Sequence, residues 1–303
     1  MGDALPPPPG AWRRLLRNPV ALASMAVLAG IVFIALFGPA IFRTDPHALS
    51  ADQYFHPTGA HLFGTDVNGR DVFARTIEGA RISLLVGLCG AMVSFFIGTT
   101  YGLISGYAGG KVDAVMMRFV EILYSIPRLI IIILVSFIFD PMVKEWLAGI
   151  WGGALVGYSK VFILIVSLGV IEWLTMARIV RGQVLALKAQ QFVLAARSLG
   201  QSHTRIVVRH LLPNLVGIVV VYLTLTIPAV ILDESFLSFL GLGVQAPQAS
   251  WGSLLADGAL SINPIRSNWW LLVFPAAVMS VTLLALNFLG DAIRDALDPR
   301  ARR

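Results

Sequence analysis

The sequence predicts an all-α membrane protein with six transmembrane helices. Of its 303 residues, 57% are hydrophobic and only 13% are charged, whereas a soluble domain usually has about 25% charged residues. The mean hydropathy of the chain is +0.78. Six apolar stretches also reach the length of about 20 residues that an α-helix needs to cross the hydrocarbon core of a bilayer. These observations exclude an ordinary soluble domain.

The predicted helices are separated by loops of unequal polarity. They cover residues 20–42, 82–106, 119–139, 161–178, 214–236 and 269–290. Three of them contain a proline, at Pro127, Pro228 and Pro275. A membrane bundle tolerates such prolines because neighbouring helices re-satisfy the freed carbonyl groups. Residues 20–303 are predicted to be one transmembrane domain. Residues 1–19 precede the first helix and are predicted to be a cytoplasmic lead-in, for the charge distribution described below.

Residues 140–160 are apolar at helical spacing but also contain Asp140, Lys144 and Glu145. The stretch is short and charged, which favours a helix that lies in the outer membrane interface over a seventh crossing.

Lysine and arginine are distributed unevenly between the two sets of loops. With the N-terminus in the cytoplasm, the inner segments hold 3, 2, 6 and 4 basic residues and the outer segments hold 4, 2 and 1. Cytoplasmic loops of membrane proteins carry the excess of basic residues. We therefore expect both termini to be cytoplasmic, and we attribute the net charge of +6 to topology rather than to nucleic-acid binding.

A long polar segment, Arg178–Pro213, separates the fourth and fifth predicted helices. Apolar residues at helical spacing predict that Arg178–Ser198 is helical. Gly200 is placed to end that helix and Pro213 to begin the next. Residues 188–209 would then form a two-helix elbow in the cytoplasm, a feature that favours the docking of a partner over simple helix punctuation.

Ala195-Ala196, Gly200 and Leu212-Pro213 repeat the spacing of the "EAA" loop. The segment therefore resembles the loop that is shared by the permease subunits of ATP-binding-cassette (ABC) importers. The small side chains of this loop allow a partner surface to approach closely. The residues that the resemblance implies for coupling to an ATPase are Leu194, Ala195, Ala196, Gly200, His210 and Pro213. Leu194 stands where the family usually has a glutamate, which removes one acidic contact.

Further motifs resemble the peptide-type permeases of this class, specifically the subunit often called C. The outer segment His61–Gly87 carries one signature, and the resemblance extends over roughly residues 10–303. The other matches are Gly106-Tyr107, Gly109-Gly110, Asp113, Ser125-Ile126-Pro127, Ala177-Arg178, Val180–Val184, Glu234, Leu237–Gly243, Ser250-Trp251-Gly252, Asn287–Asp291 and Arg294–Pro299.

The resemblance implies a type I ABC-importer permease fold with a cytoplasmic coupling helix, located in the inner or plasma membrane. It also implies partners: a homologous permease, two cytoplasmic ATPase subunits and an external solute-binding protein. The implied solute is a dipeptide or oligopeptide. Nickel or a small glycopeptide is the alternative, because specificity in such systems lies largely in the binding protein.

The outer signature contains turn-forming residues. Asp66 and Asp71 are each able to cap a following helix, and Arg70 is able to pair with either of them. We expect these residues to be structural.

Five ionisable residues lie within apolar segments, where burial of a charge is costly and function is the default hypothesis. They are Glu121, Arg128, Glu172, Asp233 and Glu234. Asp233 and Glu234 are near the outer end of the fifth predicted helix. They are candidates either for contact with the amino end of a peptide in the solute path or for anchoring of the helix end.

No catalytic or metal-binding constellation is visible in the sequence. The nearest approach to a phosphate-binding loop, Ser105–Val112, lacks both the first glycine and the hydroxyl residue that binds magnesium. ATP and magnesium are therefore expected on partner subunits, and no cofactor is expected on this chain. The histidines lack metal-site spacing. A membrane enzyme or receptor would have embedded His and Asp clusters or a large soluble domain, and the sequence shows neither. A carrier that acts alone would have two similar halves, but the second and fifth predicted helices are not alike.

Overall fold

The computed structural model describes residues 11–43, 45–151, 155–262 and 267–297. Within this range the chain is helical and contains no β-strand. The helices are α1 (Ala11–Leu15), α2 (Pro19–Phe42), α3 (Val72–Ala108), α4 (Gly110–Ser125), α5 (Arg128–Trp151), α6 (Ser159–Lys188), α7 (Gln191–Ser198), α8 (His203–Ile206), α9 (Leu212–Phe239), α10 (Trp251–Ser261) and α11 (Trp270–Leu297). A 3₁₀ turn, Val156–Tyr158, precedes α6, and a π turn, Val207–Leu211, joins α8 to α9.

The described residues contain five helical spans that are long and apolar enough to cross a membrane. They are α2, α3, α6 with its preceding 3₁₀ turn, α9 with α8 and the π turn, and α11. Helices α4 and α5 make a sixth span when the bent pair is counted as one. The predicted all-α class with six transmembrane spans is therefore confirmed.

The third predicted helix, 119–139, is wrong in detail because the chain breaks in its middle. Helix α4 ends at Ser125, and α5 begins at Arg128 with its axis turned by 89°. Ile126 adopts an extended conformation, with φ −91° and ψ 131°. A residue before proline is pushed out of the helical region by the proline ring. Pro127 therefore produces a corner here, whereas Pro228 and Pro275 lie inside continuous helices.

The stretch 140–160 does not form a helix of its own, which corrects one part of its prediction, and among the described residues it adds no seventh span. Helix α5 runs through Asp140 and Pro141 and ends at Trp151, and residues 152–154 lie outside the described range. Asp140 pairs with Lys144 at 2.7 Å and with Lys160 of α6 at 3.5 Å. Because these charges neutralise one another, the apolar helix is able to continue past them.

Helices α3 and α6 pack against each other backbone to backbone. Gly98, Gly102 and Gly106 lie one helical turn apart on the face of α3 that meets α6. A Cβ atom on Gly102 would overlap the carbonyl oxygen of Ala177, and one on Gly106 would lie 2.9 Å from that of Arg181. Small residues at four-residue spacing allow this close approach in membranes. The α3–α6 pair is therefore the spine of the fold.

Helix α9 packs against both members of this pair and closes two apolar clusters. The first includes Ile82, Val86, Leu164, Leu168 and Val230. The second includes Val180, Val184, Val193, Ile206, Leu211 and Leu215. The second cluster lies beside the segment that follows α6, so the core of the bundle continues directly into the elbow.

Arginine 81 of α3 fastens the peripheral helix α2. Pro39 lacks an N–H group and so frees the carbonyl oxygen of Ala35, four residues earlier. The Arg81 guanidinium donates to this oxygen and, at 2.7 Å, to the oxygen of Leu36. A side chain of a neighbouring helix thus satisfies a backbone group that proline has left without its helical partner.

The outer signature is structural, as predicted. Asp71 caps α3 by accepting from the Ala74 N–H at 2.9 Å, and Arg70 pairs with Asp66 at 2.8 Å. Asp66 differs from the expectation because it closes a tight turn rather than a helix end. It accepts from the backbone N–H groups of Asn68 and Arg70 and also binds the buried Arg75.

The ends of the chain are described only in part. Within the predicted lead-in, residues 1–10 lie outside the described range, and Ala11–Leu15 form the short helix α1. Leu15 packs on Ala292 and Ala296 of α11. Residues 298–303, which include the last two residues of the closing motif Arg294–Pro299, also lie outside the described range.

We call the contact of Gly98, Gly102 and Gly106 of α3 with α6 the glycine seam. It predicts a large destabilising effect of Gly102→Val. The added side chain would overlap backbone atoms of α6, and overpacking of this kind costs about 1–3 kcal/mol or more. We expect a markedly lower melting temperature of the purified protein in detergent. Gly30→Val in α2 is the matched control, because a Cβ atom there meets nothing within 4 Å. Equal melting temperatures for the two variants would contradict the seam.

Candidate coupling elbow and intramembrane charges

The elbow begins with a break that the sequence did not predict. The expected continuous helix Arg178–Ser198 is interrupted, since α6 ends at Lys188 and α7 starts at Gln191. Gln190 is extended, with φ −74° and ψ 146°. The break turns Val193 of α7 back onto the apolar cluster that α6 and α9 form. Tertiary burial of α7 thus overrides the helical propensity of the linking residues.

The two alanines of the elbow have different environments. Ala196 is only 4% exposed and packs within its own chain, so the expectation that it is small for a partner surface is wrong. Ala195 is exposed. Leu194 is 48% exposed and Leu199 is 81% exposed. Together with the exposed Phe192, these three residues are the exposed apolar side chains of α7 and its C-terminal cap, and we call the set the elbow face.

Gly200 ends α7, as predicted. Its φ of +73° lies in the left-handed region that favours glycine. The Gly200 N–H donates to the oxygen of Arg197 at 3.0 Å, and the Gln201 N–H donates to that of Ala196 at 3.1 Å. This pair of bonds is the Schellman arrangement of a helix C-terminus. A Cβ atom on Gly200 would meet nothing within 4 Å, so the conformation, and not internal crowding, requires glycine.

Pro213 lies in the first turn of α9, as predicted, but no loop separates α9 from the residues before it. The helical run starts at His203, where the Ser202 side chain accepts from the Arg205 N–H. It then passes through the π turn Val207–Leu211 into α9. Proline clashes with the carbonyl four residues before it in a regular α-helix. A wider turn directly before Pro213 is consistent with relief of that clash.

His210 holds the turn of the elbow in place. Its Nε2 lies 3.1 Å from Oε1 of Gln201, the residue that follows Gly200. Its ring centre also lies 6.3 Å from that of Phe192. The side chain therefore connects the start of the long fifth span to both ends of α7.

Polar contacts hold the elbow and the end of α6 that leads into it to the C-terminal end of α3 and the start of α4. Arg181 of α6, seven residues before the elbow, binds both carboxylate oxygens of Asp113 of α4, at 2.5 and 2.6 Å. Lys188 donates to the backbone carbonyl oxygen of Tyr107 at 2.5 Å, and the Tyr107 side-chain hydroxyl lies 2.8 Å from His203 Nδ1. Bidentate arginine–carboxylate pairs fix orientation as well as distance. The elbow is therefore a rigid extension of the helix bundle.

Three of the five intramembrane charges form one cluster. Arg128, at the start of α5, donates to Asp233 of α9 at 2.8 Å and to Glu172 of α6 at 3.4 Å. The Arg128 side chain is 57% exposed, and those of Glu172 and Asp233 are 13% and 10% exposed. Glu121 lies apart from this cluster and pairs with Arg118 at 3.3 Å.

Of the two roles that the sequence leaves open for Glu234, contact with the solute and anchoring of the helix end, its surroundings match anchoring. It is fully buried and accepts hydrogen bonds from Ser83 of α3 at 2.9 Å and from Ser238 at 2.7 Å. The Ser83 hydroxyl in turn accepts from the Trp251 N–H of α10 at 3.2 Å, and that of Ser238 accepts from the Val244 N–H at 3.0 Å. The carboxylate thus joins α3, α9, α10 and the loop between the last two, and its oxygens face hydroxyl groups of the same chain rather than a path.

Comparison with known proteins identifies the family. Residues 98–303 match the family model described as "Binding-protein-dependent transport system inner membrane component". Residues 10–57 match a second model, described as "N-terminal TM domain of oligopeptide transport permease C". The chain belongs to this family of transport permeases. It is thus a membrane component of a transport system and not an enzyme in its own right.

Named relatives resemble this permease over nearly its whole length. The dipeptide transport system permease protein DppC of Bacillus subtilis is 44% identical over 97% of this chain and 86% of its own length. The oligopeptide transport system permease protein OppC of Haemophilus influenzae is 46% identical, with 96% and 88% covered. OppC of Escherichia coli is 44% identical, with 96% and 91% covered.

The fold also resembles that of a solved transporter. The methionine ABC transporter MetNI, in an inward-facing conformation, matches with a TM-score of 0.55 and 19% sequence identity. The match covers 75% of this permease and 97% of the MetNI chain. The predicted ABC-importer permease fold is thereby confirmed.

Several contacts of these sites were beyond sequence reasoning. Asp113 and Arg181 each stood in a recognised motif, but nothing in their spacing of 68 residues indicated a pair. Glu172 is one of the five charges in apolar segments, and nothing in the sequence indicates that it meets Arg128. The four-residue spacing of glycines in α3 is the sequence signal for its close packing against α6.

The Glu234 network predicts a stability defect in Glu234→Leu. The change leaves buried hydroxyl groups without an acceptor, and each costs about 1–3 kcal/mol. We expect a strongly lowered melting temperature and poor assembly. Glu121→Leu is the control, because an exposed ion pair contributes at most about 1 kcal/mol. A Glu234→Leu protein with normal stability that fails only in transport would instead favour a role in the solute path.

Proposed function

We propose that this chain is a permease subunit of an ATP-driven importer of dipeptides or oligopeptides. In this proposal it assembles with a homologous permease, two cytoplasmic ATPase subunits and an external solute-binding protein in the inner or plasma membrane. ATP and magnesium are bound by the ATPase subunits, and no cofactor is proposed for this chain.

The observation that carries the proposed solute is the agreement among the relatives. Those at 44–46% identity over at least 96% of the chain are named dipeptide or oligopeptide permeases. The match of residues 10–57 to the N-terminal domain of oligopeptide transport permease C also supports a peptide as the solute.

The elbow face supports the proposed ATPase contact. Leu199 is 81% exposed at the end of α7, whose C-terminus is fixed by the Schellman turn and whose flanking residues Lys188 and His203 both contact Tyr107. A large exposed apolar patch on a rigid element is typical of a protein interaction site. Leu194 and Ala195 belong to this face, Gly200 and His210 shape its turn, and Ala196 supports it from inside.

Orientation with both termini in the cytoplasm completes the proposal. It is supported by the basic residues, because six lie in 178–213 and only one lies in 237–268. The elbow is then on the side of the membrane where ATPase subunits bind nucleotide.

The connection of the elbow to α6 and α9 suggests how coupling works. The elbow is continuous with the cytoplasmic ends of these two helices, and the same helices hold Glu172 and Asp233 within the membrane. When the ATPases close, they draw the elbows of the two permeases together. Rigid helices transmit this movement to the outer gate, which gives alternating access.

Reconstitution tests the proposed function. We expect the chain, purified from its native membrane, to bring with it a second permease, ATPase chains and a binding protein. Proteoliposomes that contain this complex should accumulate a radiolabelled tripeptide only when ATP is available to the ATPases. Uptake of nickel or a glycopeptide, with none of the peptide, would contradict the peptide assignment while keeping the importer mechanism.

The elbow face predicts a specific defect in Gly200→Trp. Loss of glycine from a left-handed position costs about 1–2 kcal/mol, which is too little to unfold a bundle with six spans. The indole would project beside the elbow face, so we expect normal insertion but weaker ATPase association or uncoupled hydrolysis. Co-purification of the ATPases and the ratio of uptake to hydrolysis are the measurements.

Two variants serve as controls for this experiment. Gly200→Asn should be close to wild type, because asparagine is small and tolerates the left-handed conformation. Leu194→Glu restores the acid that the family usually has at this contact position and should change the stability of the chain little, since an exposed charge contributes only tenths of a kcal/mol. Normal coupled uptake in Gly200→Trp would show that the elbow is not the contact.

A further inference from the structure

A cavity opens at the corner between α4 and α5. Its volume is about 250 Å³, and its polar lining consists of Arg128, Glu172, Tyr124 and Thr175. Aliphatic side chains form much of the remaining wall. At 1.5 Å per residue, Glu172 is about 20 Å from the start of α6 and about 24 Å from its end, so the cavity lies at the depth of the hydrocarbon core.

The exposure of Arg128 indicates what this face of the permease meets. Its side chain is 57% exposed, although a charged group in contact with lipid at this depth is costly. Charged residues at such depth face a water-filled cavity or the interior of a bundle. The cavity therefore belongs to the side of the chain that borders the solute path.

The two acids of the cluster hold the guanidinium differently. Asp233 accepts from Nη2 at 2.8 Å, which is the normal length of a charge-assisted hydrogen bond. Glu172 accepts from Nη1 at 3.4 Å, beyond that range. Glu172 lines the cavity, whereas Asp233 does not. Asp233 therefore fixes Arg128 from behind, and Glu172 is the more readily exchanged partner on the open side.

The remaining polar groups give the cavity a fixed wall. The Tyr124 hydroxyl lies 2.6 Å from that of Thr175, and the Arg178 guanidinium lies 3.8 Å from the centre of the Tyr124 ring. These contacts join α4 to α6 beside Glu172. Arg128 and Glu172 are thus the two charged groups of the lining, and they have opposite signs.

We propose that Arg128 and Glu172 bind the two charged ends of a dipeptide in transit, with Asp233 as the residue that positions Arg128. The peptide ammonium pairs with Glu172 and the peptide carboxylate pairs with Arg128. One weak internal contact opens and two intermolecular ion pairs form, so the charge balance of the cavity is unchanged. This inference rests on the proposed peptide-import function and adds the recognition chemistry.

The dimensions of a dipeptide agree with this arrangement. Two residues span at most about 7 Å, so both ends of a dipeptide reach neighbouring groups at once. The termini of a longer peptide would engage one after the other. The aliphatic part of the wall offers few hydrogen-bonding groups to the peptide side chains, as expected for a path that accepts varied sequences.

Saturation-transfer NMR on the assembled transporter in lipid nanodiscs, without the external binding protein, tests the proposal. The probes are dialanine, N-acetyl-dialanine and dialanine amide. In the wild type we expect each capped peptide to bind at least about tenfold more weakly than dialanine, as expected for the loss of one charge-assisted contact.

The variants should separate the two ends of the peptide. Glu172→Gln should remove the discrimination against N-acetyl-dialanine but keep that against the amide. Arg128→Gln should do the reverse, and Asp233→Asn should weaken only the discrimination against the amide. Lys144→Gln, which breaks an ion pair of α5 outside the cavity, should behave as the wild type. A purely structural role of the cluster would not produce this crossed pattern.

The outcomes also distinguish the inference from the function. Equal binding of the three peptides by the wild type, or unchanged discrimination in Glu172→Gln, overturns the inference even when the intact transporter imports peptide. Absence of peptide uptake by the intact transporter overturns the proposed function itself. If Arg128→Gln fails to assemble, the N-acetyl result for Glu172→Gln decides alone.

Discussion

The close approach of α3 and α6 is the constraint on which the rest of the structure depends. Lipid tails are as apolar as leucine, so helices in a bilayer are held together by packing rather than by the hydrophobic effect. Glycines at every fourth position of α3 provide that packing, because they allow backbone atoms to touch. The seam fixes the register between Asp113 and Arg181 at one end. It also sets the line along which α9 docks.

Polar groups within the bundle fall into two classes. Those that stabilise the fold have all their partners inside the chain, as in the Glu234–Ser83 contact and in the bonds from Arg81 to the carbonyls near Pro39. The Arg128 cluster differs, since its guanidinium remains more than half exposed. The difference in exposure, rather than the presence of charge, separates anchoring residues from those that border a path.

The elbow and the charge cluster belong to one mechanical unit. Helix α7 lies between α6 and the long span that contains α9, and its apolar residues share a cluster with both. Displacement of the elbow therefore requires displacement of these helices, which also bring Glu172 and Asp233 to Arg128. A movement of the elbow is therefore expected to change the distances between Arg128 and these two acids.

The sequence by itself determined the all-α class, the six spans, the elbow, the end of α7 at Gly200 and the cap at Asp71. These features depend on composition, on periodicity and on conformational preferences of single residues, all of which are local. Only the tertiary structure decided the 89° corner after Ser125, the inward position of Ala196 and the meeting of Arg128 with Asp233. The last pair is 105 residues apart in the chain, and its contact depends on how whole helices pack, which local preferences do not encode.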